Sequence, residues 1–406
     1  MAQANHLPLR RSPNWLRGRC GRMLAGILGT LVRRERTMSD IDQKGQGKSR
    51  LDSVAKEQHA PDAEDNRKPD AISEVTKPAW RYIFKRTLHE FSRDGCTTLA
   101  AALTYYGVLA LFPALLALVS LLGIFGQAKQ ATDAVLKIAA SVADDSTVKI
   151  IQQPIEQLAS APGAGFAFAV GLIGAIWSTS GYVSAFAQSM NRIYEVDEGR
   201  PLWKLRPVMF LITVVMLVLA VVVALLLVIS GPVTQAIGDA FGLGDAAVLV
   251  WNIAKWPILI LFAIVMIAVL YYGTPNVKQP KFRWISVGSV IALVVLAVTS
   301  LAFFFYVSNF GHYNNTYGSI GGAIVLLLWL WLANLSLLFG AEFNAEMERG
   351  RQLQGGIEAE QTIQLPPRDT KRSEKALETE KRDVESGRAI REEQAAPPSN
   401  AGSEPR

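Results

Sequence analysis

Six apolar runs, each long enough to cross a hydrocarbon core of about 20 helical residues, confine this chain to a membrane. They fall at about Thr97 to Phe125, Phe166 to Met190, Val208 to Ile229, Val248 to Tyr272, Ile285 to Val307 and Ile320 to Phe339. The fold class read from them is all-α, a polytopic membrane protein built as a six-transmembrane-helix bundle. Barrel strands are excluded because the runs are too long and too uniformly apolar, and only helices otherwise satisfy the backbone in lipid. The connections alternate in charge. Lys and Arg crowd Lys77 to Arg93, Arg192 to Arg206 and Lys278 to Arg283, whereas Gly231 to Ala247 and Ser308 to Ser319 contain neither. The positive-inside rule then puts the dense loops, and both the N and C termini, on the cytoplasmic side of the membrane.

Half of the 406 residues are hydrophobic and 19% are charged, a balance foreign to soluble proteins of this size. The charges concentrate in Met1 to Arg93 and after Gly340, so the net charge of +6 belongs to tails and loops. Basic residues beside spans meet anionic headgroups, which makes membrane lipids the expected partners and gives no reason to expect nucleic acid. Cys20 and Cys96 fall on the reducing side, where no disulfide is expected. His6, His59, His89 and His312 lack metal-ligand spacing, and no phosphate-binding loop occurs. Neither metal nor cofactor is expected, and any transport is passive or ion-coupled.

Outside the membrane unit of residues 96–349, the composition predicts disorder. Residues 1–78 form a basic and polar region whose first 37 residues hold eight Arg. Translation beginning at Met38 accounts for that stretch, and a basic interfacial arm is the alternative. Residues 350–406 lack aromatics and read as a disordered charged tail, whose mixed Glu/Lys/Arg stretch from Arg368 to Glu393 forms at most a marginal solvated helix. Residues 79–95 place Trp80, Ile83, Phe84, Leu88 and Phe91 at helical spacing, which predicts an amphipathic interfacial helix, with packing against loops as the alternative. In the first outer loop, Val148, Ile151, Ile155 and Leu158 predict a short covering helix.

The second span carries small residues and then Trp177-Ser178-Thr179-Ser180-Gly181 near its centre. Pro113 of the first span lies at similar depth, where it would break the helix and free a carbonyl. A substrate path is read through Tyr105, Tyr106, Pro113, Trp177, Ser178, Ser180, Gly181 and Asn334, and the same features also serve close helix packing. Glu342 and Glu346 share one helical face, where they can share a proton or pair with Arg, a salt link to the Arg192 to Arg206 loop being favoured. Without a nucleophile or metal ligand beside them, no residue is read as catalytic. The cytoplasmic face is assigned to Asn191, Arg192, Pro275, Asn276, Glu342 and Asn344.

Several short motifs occur in order: Ala100-Ala-Ala-Leu-Thr-Tyr-Tyr106 leading to Phe112-Pro113, Ile176-Trp-Ser-Thr-Ser-Gly181 and Asn191-Arg-Ile-Tyr194. Tyr272, Thr274-Pro-Asn276, Tyr317-Gly-Ser-Ile-Gly321, Trp329 and Gly340-Ala-Glu-Phe-Asn344 follow. Over about Trp80 to Arg349 the chain resembles the YihY/BrkB family of bacterial inner-membrane proteins. The resemblance implies the six-helix unit and an association with envelope biogenesis, serum resistance and lipid handling, with envelope proteins as further partners. It supplies no settled activity and no oligomeric state. An older label on some members, ribonuclease BN, would imply tRNA processing, against which stand the missing His/Asp metal cluster and the scattered basic residues. The functional expectation is therefore transport of a lipid or amphipathic solute, with a non-transporting scaffold for envelope assembly as the alternative.

Overall fold

The computed structural model describes residues 50–124, 164–228, 245–280, 282–310 and 314–395. The α-helices there are α1 (50–59), α2 (Lys77–Arg93), α3 (Cys96–Ile124), α4 (Ala164–Ile193), α5 (Leu202–Val228), α6 (Asp245–Gly273), α7 (Phe282–Phe310), α8 (Asn314–Gln354) and α9 (Lys371–Ala395). Four stretches are long and apolar enough to cross a membrane: Leu202–Val223, Leu249–Gly273, Val287–Ser308 and Gly321–Gln354. Helices α3 and α4 have 29 and 30 residues.

Hydroxyls inside these apolar helices bond back to the preceding turn, which removes their polarity from lipid. Thr104 donates to the Ala100 carbonyl at 2.7 Å, Thr213 to Met209 at 2.7 Å and Thr299 to Val295 at 2.7 Å. Helix α5 begins at Leu202, so Pro207 lies inside it and not just before it as the hydropathy boundary suggested. The turn from Leu202 to Arg206 continues the helix because its polar residues lie near other charged segments. Lys204, for example, meets Asp369 at 2.6 Å.

Helices α3 to α8 pack in a closed ring, each beside its sequence neighbour, and α8 returns against α3. Inside the ring α8 also touches α4, and α4 touches α6. Two contacts need the absence of a side chain. A β-carbon at Gly340 would lie 2.5 Å from the Gly288 carbonyl oxygen, and one at Gly288 would lie 2.3 Å from Asn344. These glycines set how closely α7 approaches α8.

The buried core occupies one end of the ring. It collects Cys96, Ala100 and Leu103 from α3, Val183 to Ile193 from α4, Met209 and Ile212 from α5, Ile267 to Tyr271 from α6 and Leu338 to Ala345 from α8. The three dense basic connections meet at this same end. Away from it, Val294, Val298, Leu301 and Phe305 form an exposed stripe on α7, and Leu249, Ile253, Trp256 and Ile260 form another on α6. Such stripes are the faces that lipid covers.

The structure departs from the sequence reading in the segments before and after the spans. Residues 50–78 and 350–370 are packed, and Lys56, Ala63, Lys68, Val75, Ile357, Ala359, Ile363 and Leu365 are buried. Neither segment has enough apolar area to order alone. Together they cover the end of α8: Lys68 Nζ lies 2.9 Å from Glu348 with both side chains sealed, and Arg351 Nη2 donates to the Pro69 carbonyl at 2.9 Å. Composition misses this because the two segments lie about 280 positions apart in sequence. Met38 and the stretch from Val148 to Leu158 lie outside the described residues.

Helix α2 packs on α8 through Ile83, while Trp80 lies 6.2 Å from Phe343 and Phe91 lies 5.7 Å from Phe339, ring centre to ring centre. Phe84 and Leu88 remain exposed on its other face.

Candidate functional site

Helix α8 has 41 residues, a length of about 60 Å that is twice the hydrocarbon thickness. Asn334, Leu338, Glu342, Glu346 and Arg349 follow one another along one face of it at helical spacing, and all are buried. Asn334 ties three helices together. Its amide donates to Thr104 Oγ1 of α3 at 3.2 Å and to its own Leu330 carbonyl at 2.9 Å, and its oxygen accepts from Tyr182 of α4 at 2.8 Å. Two turns below it, Glu342 accepts from Cys96 Sγ at 3.6 Å and shares a side-chain hydrogen bond with Asp94.

Glu346 behaves differently, although it lies on the same face. It accepts from Arg349 Nε at 3.0 Å, and Arg349 reaches on to Glu195 at 3.0 Å and to the Ala359 carbonyl at 2.9 Å. The favoured salt link to an Arg of the Arg192 to Arg206 loop does not form: Glu346 pairs with Arg349 of its own helix and, at 3.9 Å, with Arg86 of α2. Arg349 bridges Glu346 to the carboxylate Glu195, and Glu342 turns the other way. The reason is geometric: a side chain three residues on along the same helix reaches Glu346 before any loop residue does.

Asp94 lies at the corner between α2 and α3, where Gly95 takes a φ of 67° that a side chain would resist. Burial pushes the Asp94 carboxyl up to about 6, against the pull of the hydrogen bond with Glu342 and the nearby Arg192 charge. Burial also pushes the Lys56 ammonium below its usual value while it donates to the Glu195 carbonyl at 2.9 Å.

Of the residues assigned to the cytoplasmic face, Asn191, Pro275 and Asn276 come together. Asn191 Oδ1 accepts from the Asn276 backbone at 2.7 Å, and Asn191 Nδ2 donates to Glu198 at 2.8 Å. Asn276, fully buried, donates to the carbonyls of Asp197 at 2.9 Å and Asp369 at 2.8 Å. Pro275 is buried beside it. Arg200 donates to the Thr274 carbonyl at 2.7 Å and Arg368 to the Tyr272 carbonyl at 2.6 Å, satisfying the orphan carbonyls at the α6 C-terminus. Asn344 accepts from the Gly288 backbone at 2.9 Å. Arg192 is exposed.

The residues of the expected substrate path do not form one enclosed column. Trp177 is 82% exposed and Tyr105 61%, so both face out of the ring. Tyr106 backs Gly181, whose β-carbon would meet its ring at 3.2 Å, and Ser178, Ser180 and Gly181 are half-buried. Asn334 lies inside, bonded to Tyr182. Helix α3 continues past Pro113 to Ile124 and is not broken there, since helices tolerate proline where neighbours satisfy the freed carbonyl. The Pro113 side chain lies outside the described residues.

The model of the family described as virulence factor BrkB matches residues 87–363, which is most of the ring and both ends of α8. The chain belongs to the BrkB family. Within this BrkB chain the match includes Asp94, Asn191, Asn276, Glu342, Asn344 and Arg349, and stops short of 50–78 and α9. It is 32% identical over 272 residues to the ribonuclease-like protein YfkH of Bacillus subtilis, covering 67% of this chain and 95% of YfkH. It is 25% identical to a UPF0761 membrane protein of Alteromonas mediterranea over 44% of this chain and 58% of that one. To a UPF0761 membrane protein of Aggregatibacter aphrophilus it is 23% identical, over 67% and 94% of the two chains. No solved structure matches. With four apolar crossing helices, the chain is a multi-pass bacterial membrane protein.

Three participants escaped the sequence reading: Asp94, Arg349 and Glu195. Asp94 was hidden among the basic residues of its connection, although an acidic residue followed by Gly at a helix corner was a visible signal. Arg349 read as a tail residue because hydropathy ends the span near Phe339. Among the described residues, no group of three or more His, Cys, Asp or Glu is placed to hold a metal ion.

Proposed function

We propose that this protein translocates a lipid or another amphipathic solute across the bacterial inner membrane, passively or coupled to an ion, through a bundle of six spans with both ends cytoplasmic. The observation that carries the reading is the buried polar face of α8, from Asn334 to Glu342. Amide and carboxyl groups are costly inside an apolar helix and are retained there for function more often than for stability. Six spans are supported by the lengths of α3 and α4, which suffice to cross beside the four apolar helices. The gathering of the dense basic loops at one end supports a single cytoplasmic face. Tyr105, Tyr106, Trp177, Ser178 and Ser180 are the residues we assign to first contact with solute. The exposed rings of Tyr105 and Trp177 would take up an apolar tail, and the half-buried hydroxyls a polar head. The reading is non-enzymatic, and the ribonuclease-like name stays with YfkH.

The test uses the full chain, purified with its retained lipids identified by mass spectrometry and then reconstituted for lipid translocation in vesicles. An enriched lipid and translocation above empty vesicles are expected, and Ser178→Leu with Ser180→Leu should abolish translocation while leaving the protein folded. No enrichment and no translocation would overturn the reading.

A scaffold for envelope proteins is the second reading, favoured by α9. Beyond Ser373 this 25-residue charged helix is almost wholly exposed, with Val384 and Ile390 open to a partner. Deleting the chain after Glu380 separates the two, because a scaffold loses its role and a translocator keeps its rate.

A further inference from the structure

The charged end buries many ionisable groups, and nearly all of them are paired by sign. Lys68 meets Glu348, which also takes Arg351 at 2.5 Å. Arg349 lies between Glu346 and Glu195, and Arg86 meets Glu90 at 2.8 Å. One contact is different. Glu342, 1% exposed, has a carboxyl and a thiol as its partners, Asp94 and Cys96. Two carboxyl groups can hydrogen-bond to each other only when one of them carries a proton.

We propose that Asp94 and Glu342 hold one exchangeable proton between them, that this proton latches the α2–α3 corner to α8, and that it is the ion to which translocation is coupled. The coupling clause rests on the transport reading above, and the proton site stands without it. Burial decides where the proton sits. Glu342 is sealed and Asp94 is half-buried beside Arg192, so the charge stays on Asp94 and Glu342 donates. Asp94 is also the member nearer water, which makes it the route by which the proton enters and leaves. Loss of that proton sets two carboxylates against each other in a poorly hydrated contact and drives the corner away from α8.

Every packed element contributes to the electrostatics of the pair. Glu90 of α2, itself held by Arg86 and Arg93, opposes ionisation, as do Glu346 of α8 and Glu195 after α4. Arg192 of α4 favours it, and Arg349 is occupied by Glu346 and Glu195. Cys96 of α3 donates to Glu342, and buried Tyr194 lies close enough to feel the Glu342 charge. Nothing on this list gives Glu342 a cation of its own.

The full chain in phosphatidylglycerol–phosphatidylcholine nanodiscs tests the site by infrared spectroscopy. A protonated-carboxyl stretch is expected at about pH 7, absent in Glu342→Gln. Hydrogen exchange of residues 92–100, corrected for intrinsic pH dependence, tests the latch. Glu342→Gln keeps a donor and should stay protected at all pH values, whereas Asp94→Ala should exchange at least about tenfold faster. A spectrum lacking that band in the wild-type chain overturns the proton site, and equal exchange in Asp94→Ala and wild type overturns the latch. In vesicles of the same lipids, an imposed pH gradient should speed translocation by the wild type and not by Glu342→Gln. An identical response of the two overturns the coupling. Absence of translocation in both counts against the transport reading, and the spectra still decide the proton.

Discussion

The two ends of the helix ring are built on opposite principles. At the basic-loop end, α4, α6, α8 and the segments flanking the spans meet through buried ion pairs and amide hubs, with Arg349, Asn276 and Lys68 all sealed. Toward the other end the same helices show exposed stripes of Val, Leu and Phe, and hydroxyls that bond only to their own helix or to a neighbouring one. The first end owes its shape to specific partners; the second needs only lipid around it. Among the described residues the buried polar side-chain atoms of the first end are answered except Arg86 Nε, Arg200 Nη1 and Gln279 Oε1, and so a single deletion there should cost far more than one in the apolar half.

The largest contrast should come from Gly340→Val. Its β-carbon would fall 2.5 Å from a backbone oxygen and 2.6 Å from Ala292 Cβ, so the α7–α8 contact cannot form. A loss above about 4 kcal/mol is expected, read as failure to yield monodisperse folded protein in detergent. A wild-type melting temperature would contradict the close approach. Arg349→Met leaves Glu346 with Arg86 at 3.9 Å and Glu195 with the Ile363 backbone N–H and should cost about 3–5 kcal/mol in reversible unfolding; a loss below about 1 kcal/mol would mean that water already reaches the pair.

Asn276→Ala leaves the Asp197 and Asp369 carbonyls and the Asp369 backbone N–H without their side-chain partner, an expected loss of about 1–3 kcal/mol. The same unfolding assay checks it, and it should be accompanied by faster exchange at 366–370. The pH response is smaller. Asp94 titrates at about 6 in the folded chain against an ordinary 3.8, so the folded state binds the extra proton. Its contribution to stability is complete below about 3.8, falls as pH rises to about 6 and is flat above. Asp94→Asn should remove that slope from melting temperatures measured across the window. Smallest of all, Val298→Ala on the exposed face of α7 should change stability by no more than about 0.5 kcal/mol, and a larger loss would reveal a protein partner on that stripe.

Much of the molecule was legible because lipid imposes a simple rule on sequence. The apolar runs located the helices, and α5, α6 and α7 differ from the runs by a few residues at each end. Asn334 and Glu342 were visible as polar residues in apolar surroundings, and Asn191 and Asn276 as motif residues. The partners were not visible. Whether Glu342 would face Glu346, Arg192 or Asp94 depends on the rotation of α8 against α2 and α3, and hydropathy says nothing about rotation. The exposure of Tyr105 and Trp177 was unreadable for the same reason.

The sequence by itself determined that this chain lies in a membrane as helices, where five of them begin and end to within two turns, and which loops share a side, whereas α8 runs on about four turns past its apolar stretch. Those properties follow from transfer free energies, which add up residue by residue along the chain. Only the tertiary structure decided that residues 50–78 and 350–370 are ordered, that α8 carries one continuous buried polar face, and that Asp94 meets Glu342. Each of these depends on groups far apart in sequence satisfying one another, and the energy of a pair belongs to neither residue alone.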